Sequence, residues 1–118
     1  MQAAAIRIDL HIPTAGSLKG KRAVVRPLME GLKKVASVSV AEVDHHDAWQ
    51  RSAVGVALVA PDARQLERLI DSVGRYLAGC LEVEVVGFRV TYIEEESDGQ
   101  AWLFPYAKGG FDPAPGDR

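Results

Sequence analysis

The sequence predicts an α+β domain in which two helices cover one face of a four-stranded antiparallel sheet. Four segments alternate apolar and polar residues, as half-buried strands do, and two longer segments repeat apolar residues at helical spacing. Along the chain their order is strand, helix, strand, strand, helix, strand. This is the order of the ferredoxin-like, or βαββαβ, sandwich, in which the first and third strands are central.

A half-buried strand is predicted over residues 3–12. Isoleucine or leucine occupies every even position from 6 to 12, whereas the odd positions between them carry Arg7, Asp9 and His11. One face of this strand therefore packs on the core and the other is polar. Pro13 removes a backbone donor and ends the strand.

An amphipathic helix is predicted over residues 17–36, where Val25, Leu28 and Leu32 share one face. Pro27 lies inside this pattern and removes one backbone hydrogen bond of the helix. We therefore expect a kink in the helix, or a helix that starts only a few residues before the proline.

Two strands joined by a short turn are predicted over residues 37–44 and 49–60. The first is rich in valine, but its alternation slips between Val40 and Val43, which indicates a bulge or an edge strand. The second alternates valine and leucine with alanine and glycine. The short gap between the two segments predicts a hairpin.

The second helix is predicted to begin at Asp62, which is a good N-cap and is followed three residues later by Gln65 in a capping-box pattern. Its apolar stripe continues to Cys80, which we interpret as small core filler. The last strand is predicted over residues 81–94, where apolar and polar residues alternate again.

We predict one domain over residues 1–95, followed by an extended or partly disordered tail over residues 96–118. A chain of 118 residues fits a single domain. The tail is rich in Gly, Pro and Asp, as irregular segments are. It also contains aromatic residues such as Trp102 and Phe104, which could dock on the domain or on a neighbouring chain.

The composition argues against several classes of protein. The formal net charge of -2 argues against binding nucleic acid through overall charge, although it permits a local basic patch. Cys80 is the only cysteine, so neither an intrachain disulfide nor a cysteine-based zinc site can form. No basic N-terminal segment precedes an apolar run, and no apolar run approaches the ~20 residues of a membrane span. We expect a soluble cytoplasmic protein that does not bind membranes.

The densest chemistry lies in residues 42–51, EVDHHDAWQR. His45, His46 and Asp47 offer ligands for Zn or Mn. Either histidine could also form an acid–base pair with Asp44 or Asp47. The alternative is polar turn structure, because neighbouring strand residues point to opposite faces. The sequence contains no GxGxxG, P-loop or GxSxG motif, so we predict no cofactor and no catalytic residue.

Five basic residues predict a nucleic-acid surface. Lys19, Lys21 and Arg22 fall at the start of the first helix, where backbone amides and lysine side chains favour phosphate. Arg7 and Arg51 would extend this surface over the open face of the sheet. The alternative for the helix cluster is a solvated helix start.

Self-association is predicted through the open sheet face and the hairpin. Ala53, Gly55 and Ala57 are small enough to let another flat surface approach closely. Trp49 and Gln50 have the chemistry of an interface anchor. The alternative for Trp49 is an intramolecular lid over the hairpin. We expect a homodimer formed through the sheet face or an edge strand.

Three strings of the chain resemble the YlxP-like family, a bacterial family of uncharacterised small proteins. They are LHIP at 10–13, SLKGKR at 17–22 and SVSVAEVDHHDAWQR at 37–51, and the resemblance covers residues 3–94. It implies a ferredoxin-like fold. Because genes of this family often lie near those for translation initiation and ribosome maturation factors, it also implies a translational or RNA-related role. It implies no catalytic residues, and the chain departs from its pattern at Pro27 and in the aromatic tail.

The sequence therefore predicts a small, non-enzymatic binding protein that forms a homodimer and has an ancillary role around RNA or the ribosome. Two other classes stay open. One is a metal-dependent or acid–base enzyme that uses His45, His46 and Asp47. The other is an adaptor whose open sheet face binds another protein.

Overall fold

The computed structural model of this protein describes residues 1–36 and 38–93, and these residues form four strands and two helices in the predicted order. The elements are β1 (Gln2–His11), α1 (Leu18–Ala36), β2 (Ser39–Asp44), β3 (Arg51–Ala60), α2 (Ala63–Ala78) and β4 (Glu84–Ile93). The strands lie in the order β2-β3-β1-β4, and each is antiparallel to its neighbours. This confirms the ferredoxin-like α+β fold. The predicted tail over residues 96–118 lies outside the described residues.

The core lies between the sheet and the two helices. Even-numbered residues of β1 and β3 point into it, because residues two apart share one face of a strand. From α1 the core receives Val25, Leu28 and Leu32, as the helical spacing predicted. Neither helix in the described part of the chain is both long and apolar enough to cross a membrane.

Ser17 fixes the start of α1. Its hydroxyl accepts a hydrogen bond of 2.9 Å from the Gly20 amide, and its carbonyl accepts one of 3.0 Å from the Lys21 amide. The helix then runs through Pro27 to Ala36, so the expectation of a start shortly before the proline is wrong. Pro27 removes the donor for the carbonyl of Ala23, and both residues are exposed, so water can take the place of that donor.

Asp62 caps α2, as the sequence predicted. Its carboxylate accepts a hydrogen bond of 2.8 Å from the Gln65 amide, and the Gln65 side chain donates to the same carboxylate at 3.3 Å. The helix buries the stripe Leu66, Ile70, Val73 and Leu77. Gly79 follows the last turn, and its amide bonds back to the carbonyls of that turn.

β2 is an edge strand with an irregular register, as the slipped alternation predicted. It pairs only with β3, and its register shifts between Glu42 and Asp44. The turn after it, residues 45–50, lies beside the end of β1, because the Ile12 amide donates to the Gln50 carbonyl at 2.8 Å. The fold therefore brings the chemically dense turn against the loop that leads into α1.

The two helices meet where Tyr76 of α2 packs on Gly31 of α1. A methyl group added at position 31 would overlap the Tyr76 ring and its hydroxyl. Gly74 of α2 has no heavy atom within 4 Å of the corresponding point, so a methyl group there would stand in open space. The close approach of Tyr76 therefore explains the glycine at position 31, whereas no contact explains the one at position 74.

Replacing Gly31 with Ala should lower the free energy of unfolding by about 1–2 kcal/mol, since the clash with Tyr76 outweighs the gain of about 1 kcal/mol in helix propensity. Gly74→Ala is the matched control and should raise the stability by about 0.5–1 kcal/mol. Urea denaturation followed by circular dichroism measures both. Equal effects of the two substitutions would contradict the packing of Tyr76 on Gly31.

Candidate functional site

The turn between β2 and β3 is shaped by its own first residues. His45 has a φ of 61°, a left-handed conformation that histidine adopts more readily than most residues. The Asp44 carboxylate accepts a hydrogen bond of 2.8 Å from the His45 amide, and the His45 carbonyl accepts one of 3.1 Å from the Ala48 amide. These two bonds close the turn and direct the following residues away from β2.

Lys21 reaches from α1 into the inside of this turn. Its side chain is only 2% exposed, and its ammonium group donates to the carbonyls of His45, His46 and Arg51 at 2.8, 3.2 and 3.3 Å. The carboxylate of Glu42 lies 3.1 Å from the same nitrogen. The lysine therefore binds both ends of the turn to the second turn of the helix.

The Glu42 carboxylate joins this buried group to the sheet. Its Oε2 atom accepts a hydrogen bond of 2.7 Å from the hydroxyl of Ser52, which is 1% exposed. Because Glu42 is in β2 and Ser52 in β3, Lys21 is linked to both strands of the hairpin as well as to the turn. Charge and hydrogen bonds are thus matched, as buried polar groups require.

Gln50 ties the far side of the turn to the loop after β1. Its side-chain amide donates to the carbonyls of Pro13 and Ala15 at 3.1 and 3.2 Å. Together with Lys21, it holds residues 45–51 against the start of α1 by side-chain bonds to backbone carbonyls.

The sheet face turned away from the helices, which we call the open face, changes from apolar at one end to charged at the other. Cross-strand partners place its residues in rows that read Val59, Ala3, Ile93; then Ser39, Ala57, Ala5, Thr91; then Ala41, Gly55, Arg7, Arg89; then Asp44, Ala53, Asp9, Gly87; and last Arg51, His11, Glu84. The last row lies at the end of the sheet where the turn is. The open face therefore has an apolar end and a charged end.

Ion pairs occupy the centre of the open face. The Arg7 guanidinium lies 3.1 Å from a carboxylate oxygen of Asp9 and 3.2 Å from one of Asp44. The hydrogen bond from the His45 amide, together with that from Arg7, holds the pKa of Asp44 below its usual value. In the last row, the His11 ring contacts the Glu84 carboxylate. Most of the charges of this face are therefore matched within the protomer.

The five residues of the predicted nucleic-acid surface do not lie on one surface. Lys19 and Arg22 are exposed on α1, on the outer side of the helical layer. Lys21 is buried and is bonded to the turn, so it cannot contact phosphate. Arg7 and Arg51 lie on the open face, and Arg7 is held by two carboxylates there. The prediction must be corrected: one of these lysines is internal, and the open-face arginines are separate from the helix start.

Sequence analysis missed Arg26, which lies on the exposed side of α1 with Lys19 and Arg22. These three residues are spaced i, i+3 and i+7, which places them on one side of a helix. The same spacing argument shows why Lys21 differs, since Lys21, Val25, Leu28 and Leu32 share the buried side. Helical spacing could therefore have separated the internal lysine from its neighbours.

The predicted interface residues also have different environments. Ala53 is fully buried between Asp9 and Asp44 of the neighbouring strands, so it is not available to a partner. Gly55 lies under Val43, whose side chain would be 2.8 Å from an added Cβ atom. The Gln50 side chain is used within the protomer. Trp49, Gln50 and Ala57 are exposed, and of these three Trp49 and Ala57 have no side-chain hydrogen bond to any described residue.

The predicted metal ligands do not converge. His46 and Asp47 are exposed, and the His45 ring lies 4.0 Å from the Asp44 carboxylate. Within residues 1–36 and 38–93, no group of three or more His, Cys, Asp or Glu residues has a geometry that could hold a metal ion. The described geometry therefore favours turn structure for these residues over the metal alternative.

A family model described as "Protein of unknown function (DUF503)" matches residues 3–90. The chain belongs to this family. It is also 34% identical over 70 residues to "Uncharacterized protein YlxP" of Bacillus subtilis (strain 168), in an alignment that covers 59% of this chain and 76% of that protein. Both findings agree with the resemblance to YlxP-like proteins that the three sequence strings indicated. In this DUF503 chain, the matched region includes Lys21, Glu42 and the whole turn.

Replacing Lys21 with Met should lower the free energy of unfolding by about 3–5 kcal/mol, because it leaves the Glu42 carboxylate and three carbonyls without their cation. Arg22→Met is the matched control. Arg22 is exposed and has no partner among the described residues, so its replacement should change stability by less than about 0.5 kcal/mol. Chemical denaturation measures both.

If the Lys21→Met protein is too unstable to purify, Glu42→Gln in the same background should restore part of the stability, since it removes the unpaired charge. Equal stabilities of the Lys21→Met and Arg22→Met proteins would show that the buried amine does not hold the turn.

Proposed function

We propose that this protein binds RNA through the exposed outer side of α1, in a non-enzymatic, ancillary role around RNA or the ribosome in the cytoplasm. The observation that carries the proposal is the charge of this helix. Over Leu18–Ala36 it has five exposed basic residues and a single acid, Glu30, in a chain whose formal net charge is -2. Positive charge is therefore concentrated on one element, which favours an anionic partner.

The basic side chains that face water on α1 are free to contact phosphate. We define the basic face by Lys19, Arg22 and Arg26, which are all exposed. None of the three has an ion pair or hydrogen bond with any described residue. Arginine can bind a phosphate through two parallel hydrogen bonds, and lysine adds a point charge. Glu30 is already paired with Lys33 at 3.2 Å, so it does not neutralise this face.

The resemblance to YlxP-like proteins supports the same proposal, because it implies a translational or RNA-related role independently of the charge of α1. The alternative classes have less support. The metal-dependent enzyme required His45, His46 and Asp47 to converge, and within the described residues no group of three or more such side chains could hold a metal ion. The apolar end of the open face is compatible with an adaptor that binds another protein there. We favour a second copy of this chain as that protein.

Replacing Lys19, Arg22 and Arg26 together with Ala should weaken binding to a single-stranded RNA roughly tenfold or more at low salt. It should also reduce the slope of log K against log salt concentration by about 2, since about three phosphate contacts are lost. Fluorescence anisotropy of a labelled RNA over a series of salt concentrations measures both quantities.

The matched control replaces Arg64, Arg68 and Arg75 of α2 with Ala. It removes the same charge from the neighbouring helix, where these arginines alternate with Glu67 and Asp71. We expect a much smaller loss of affinity for this control. If both triple variants bind RNA like the unaltered protein, or lose affinity equally, the basic face of α1 is not the RNA-binding surface.

We also infer that the protein self-associates through the apolar end of the open face. Val59 and Ile93 are 64% and 56% exposed there and flank Ala3, and the next row carries Ala5 and Ala57. Small residues let a second sheet approach closely, and an isologous pair would bury both apolar ends together.

The charges of the open face favour a second copy as the occupant. Its charged rows hold three basic and three acidic side chains, namely Arg7, Arg51, Arg89, Asp9, Asp44 and Glu84. Two such faces therefore meet without net repulsion, whereas a strongly charged partner would find no complementary surface.

Ala57→Lys should shift the protein from dimer to monomer, because it places a charge in the centre of the proposed interface. Ala78→Lys is the control, since Ala78 is exposed at the end of α2, which belongs to the helical layer and not to the open face. Light scattering coupled to size exclusion measures the mass of each. A monomeric unaltered protein, or an Ala57→Lys protein that stays dimeric, would contradict this interface.

A further inference from the structure

A cleft of about 530 Å³ lies at the charged end of the open face, where the turn meets the end of β1. It is lined by His11, Asp47, Ala48, Trp49, Gln50 and Arg51. It is a shallow depression that is widely open to solvent, so a ligand there would stay partly exposed. It belongs to neither surface described above, because α1 covers the opposite side of the sheet and the apolar end lies at the far end of the strands.

Trp49 is the main apolar wall of this cleft. Its side chain is 56% exposed, and it has no hydrogen-bond partner among the described residues. A large aromatic ring held in water at the mouth of a cleft is suited to stack against a flat ligand. The interpretation of Trp49 as a lid over the hairpin is less suitable, since a lid would bury the ring.

Two charged groups beside the ring are also without partners. In the part of the chain that the structure describes, neither the Arg51 guanidinium nor the Asp47 carboxylate has an ion pair. His11 differs, because its ring is engaged with Glu84. The cleft thus offers a stacking surface, a cation and a hydrogen-bond acceptor. A nucleotide presents the three complementary groups: a planar base, a phosphate and, in A, G and C, an exocyclic amine.

The wall of the cleft is held rigidly from behind. Lys21 bonds the carbonyls of His45, His46 and Arg51, and Gln50 bonds the loop after β1. None of these bonds uses the side chain of Trp49, Asp47 or Arg51. The backbone of the turn is therefore fixed while its functional groups stay available, which lowers the entropy lost on binding a ligand.

We propose that this cleft binds one nucleotide of single-stranded RNA. The base stacks on Trp49, the phosphate pairs with Arg51, and the Asp47 carboxylate accepts a hydrogen bond from the exocyclic amine of the base. Uracil has a carbonyl where cytosine has an amine, so it lacks that donor and places an acceptor against the carboxylate. The site should therefore prefer cytosine to uracil.

The test uses the intrinsic fluorescence of Trp49. Because the chain has two tryptophans, Trp102→Phe in the full-length protein leaves Trp49 as the single emitter. This protein is titrated with the hexaribonucleotides rC6 and rU6, which differ in the group at position 4 of the base and in the proton on N3. We expect saturable quenching by rC6, with an affinity at least about fivefold higher than for rU6, as for a hydrogen bond to a charged group.

Two variants separate the contributions of the cleft. Asp47→Ala should lower the affinity for rC6 and leave that for rU6 unchanged or higher, so that the ratio approaches one. Arg51→Ala should weaken both ligands equally and reduce the salt slope by about 0.7, as for the loss of one phosphate contact. Both residues are exposed, so neither change is expected to unfold the protein.

The result is independent of the proposed role of α1. The triple variant at Lys19, Arg22 and Arg26 retains the whole cleft, so quenching of Trp49 by rC6 should persist in it. The proposal is overturned if neither oligonucleotide quenches Trp49, if inorganic phosphate quenches as strongly as rC6, or if rC6 and rU6 bind equally. It is also overturned if Asp47→Ala weakens both ligands alike.

Discussion

A lysine ammonium group removed from water loses several kcal/mol of hydration, and the protein must supply oxygen atoms in place of that water. Lys21 receives four such atoms: three carbonyls of the turn and one carboxylate oxygen of Glu42. This one contact joins α1, β2, β3 and the turn between the two strands. The position of the turn, and hence of the cleft beside it, depends on the buried amine.

The arrangement explains why so polar a turn can be well ordered. Its residues include two histidines and one aspartate, which by themselves would leave a solvated loop. Instead the backbone carbonyls of the turn point inward to Lys21, and the side chains of Asp47, Trp49 and Arg51 are left outside. The buried ammonium group of Lys21 thus fixes the backbone that carries these exposed side chains. The left-handed residue His45 is supported in the same way, since its amide and carbonyl are both bonded.

Basic residues of this protein have three different roles that follow from where their side chains lie. Lys21 is internal and structural. Arg7 is on the open face and is matched by Asp9 and Asp44. The side chains of the basic face of α1, together with the Arg51 guanidinium, have no ion pair or hydrogen bond with any described residue and can meet an anion. The net charge of the chain does not show this division, because acidic residues elsewhere in the chain balance the basic residues.

The sequence by itself determined the order and type of the elements. These patterns are local: the alternation in the strands, the apolar stripes of the helices, the cap at Asp62 and the phase slip before Val43. Each reflects the backbone geometry of a single element, so it can be read from neighbouring residues. The strings around residues 17–22 and 37–51 also pointed to the correct family. By contrast, one of the two alternatives expected for α1, a start only a few residues before Pro27, was wrong, because Ser17 caps the helix and Pro27 lies on its exposed side.

Only the tertiary structure decided what the candidate residues do. Lys19, Lys21 and Arg22 are neighbours in sequence, yet Lys21 is buried, because a helix turns by about 100° per residue. Which carbonyls Lys21 bonds is shown only by the tertiary fold. Ala53 and Ala57 occupy equivalent positions in the sequence pattern of β3. Ala53 is nevertheless buried, because Asp9 and Asp44 lie on either side of it in the sheet. Helical spacing can place Lys21 on the buried side of α1, but the groups that pair with it lie far away in the chain, and local patterns carry no record of them.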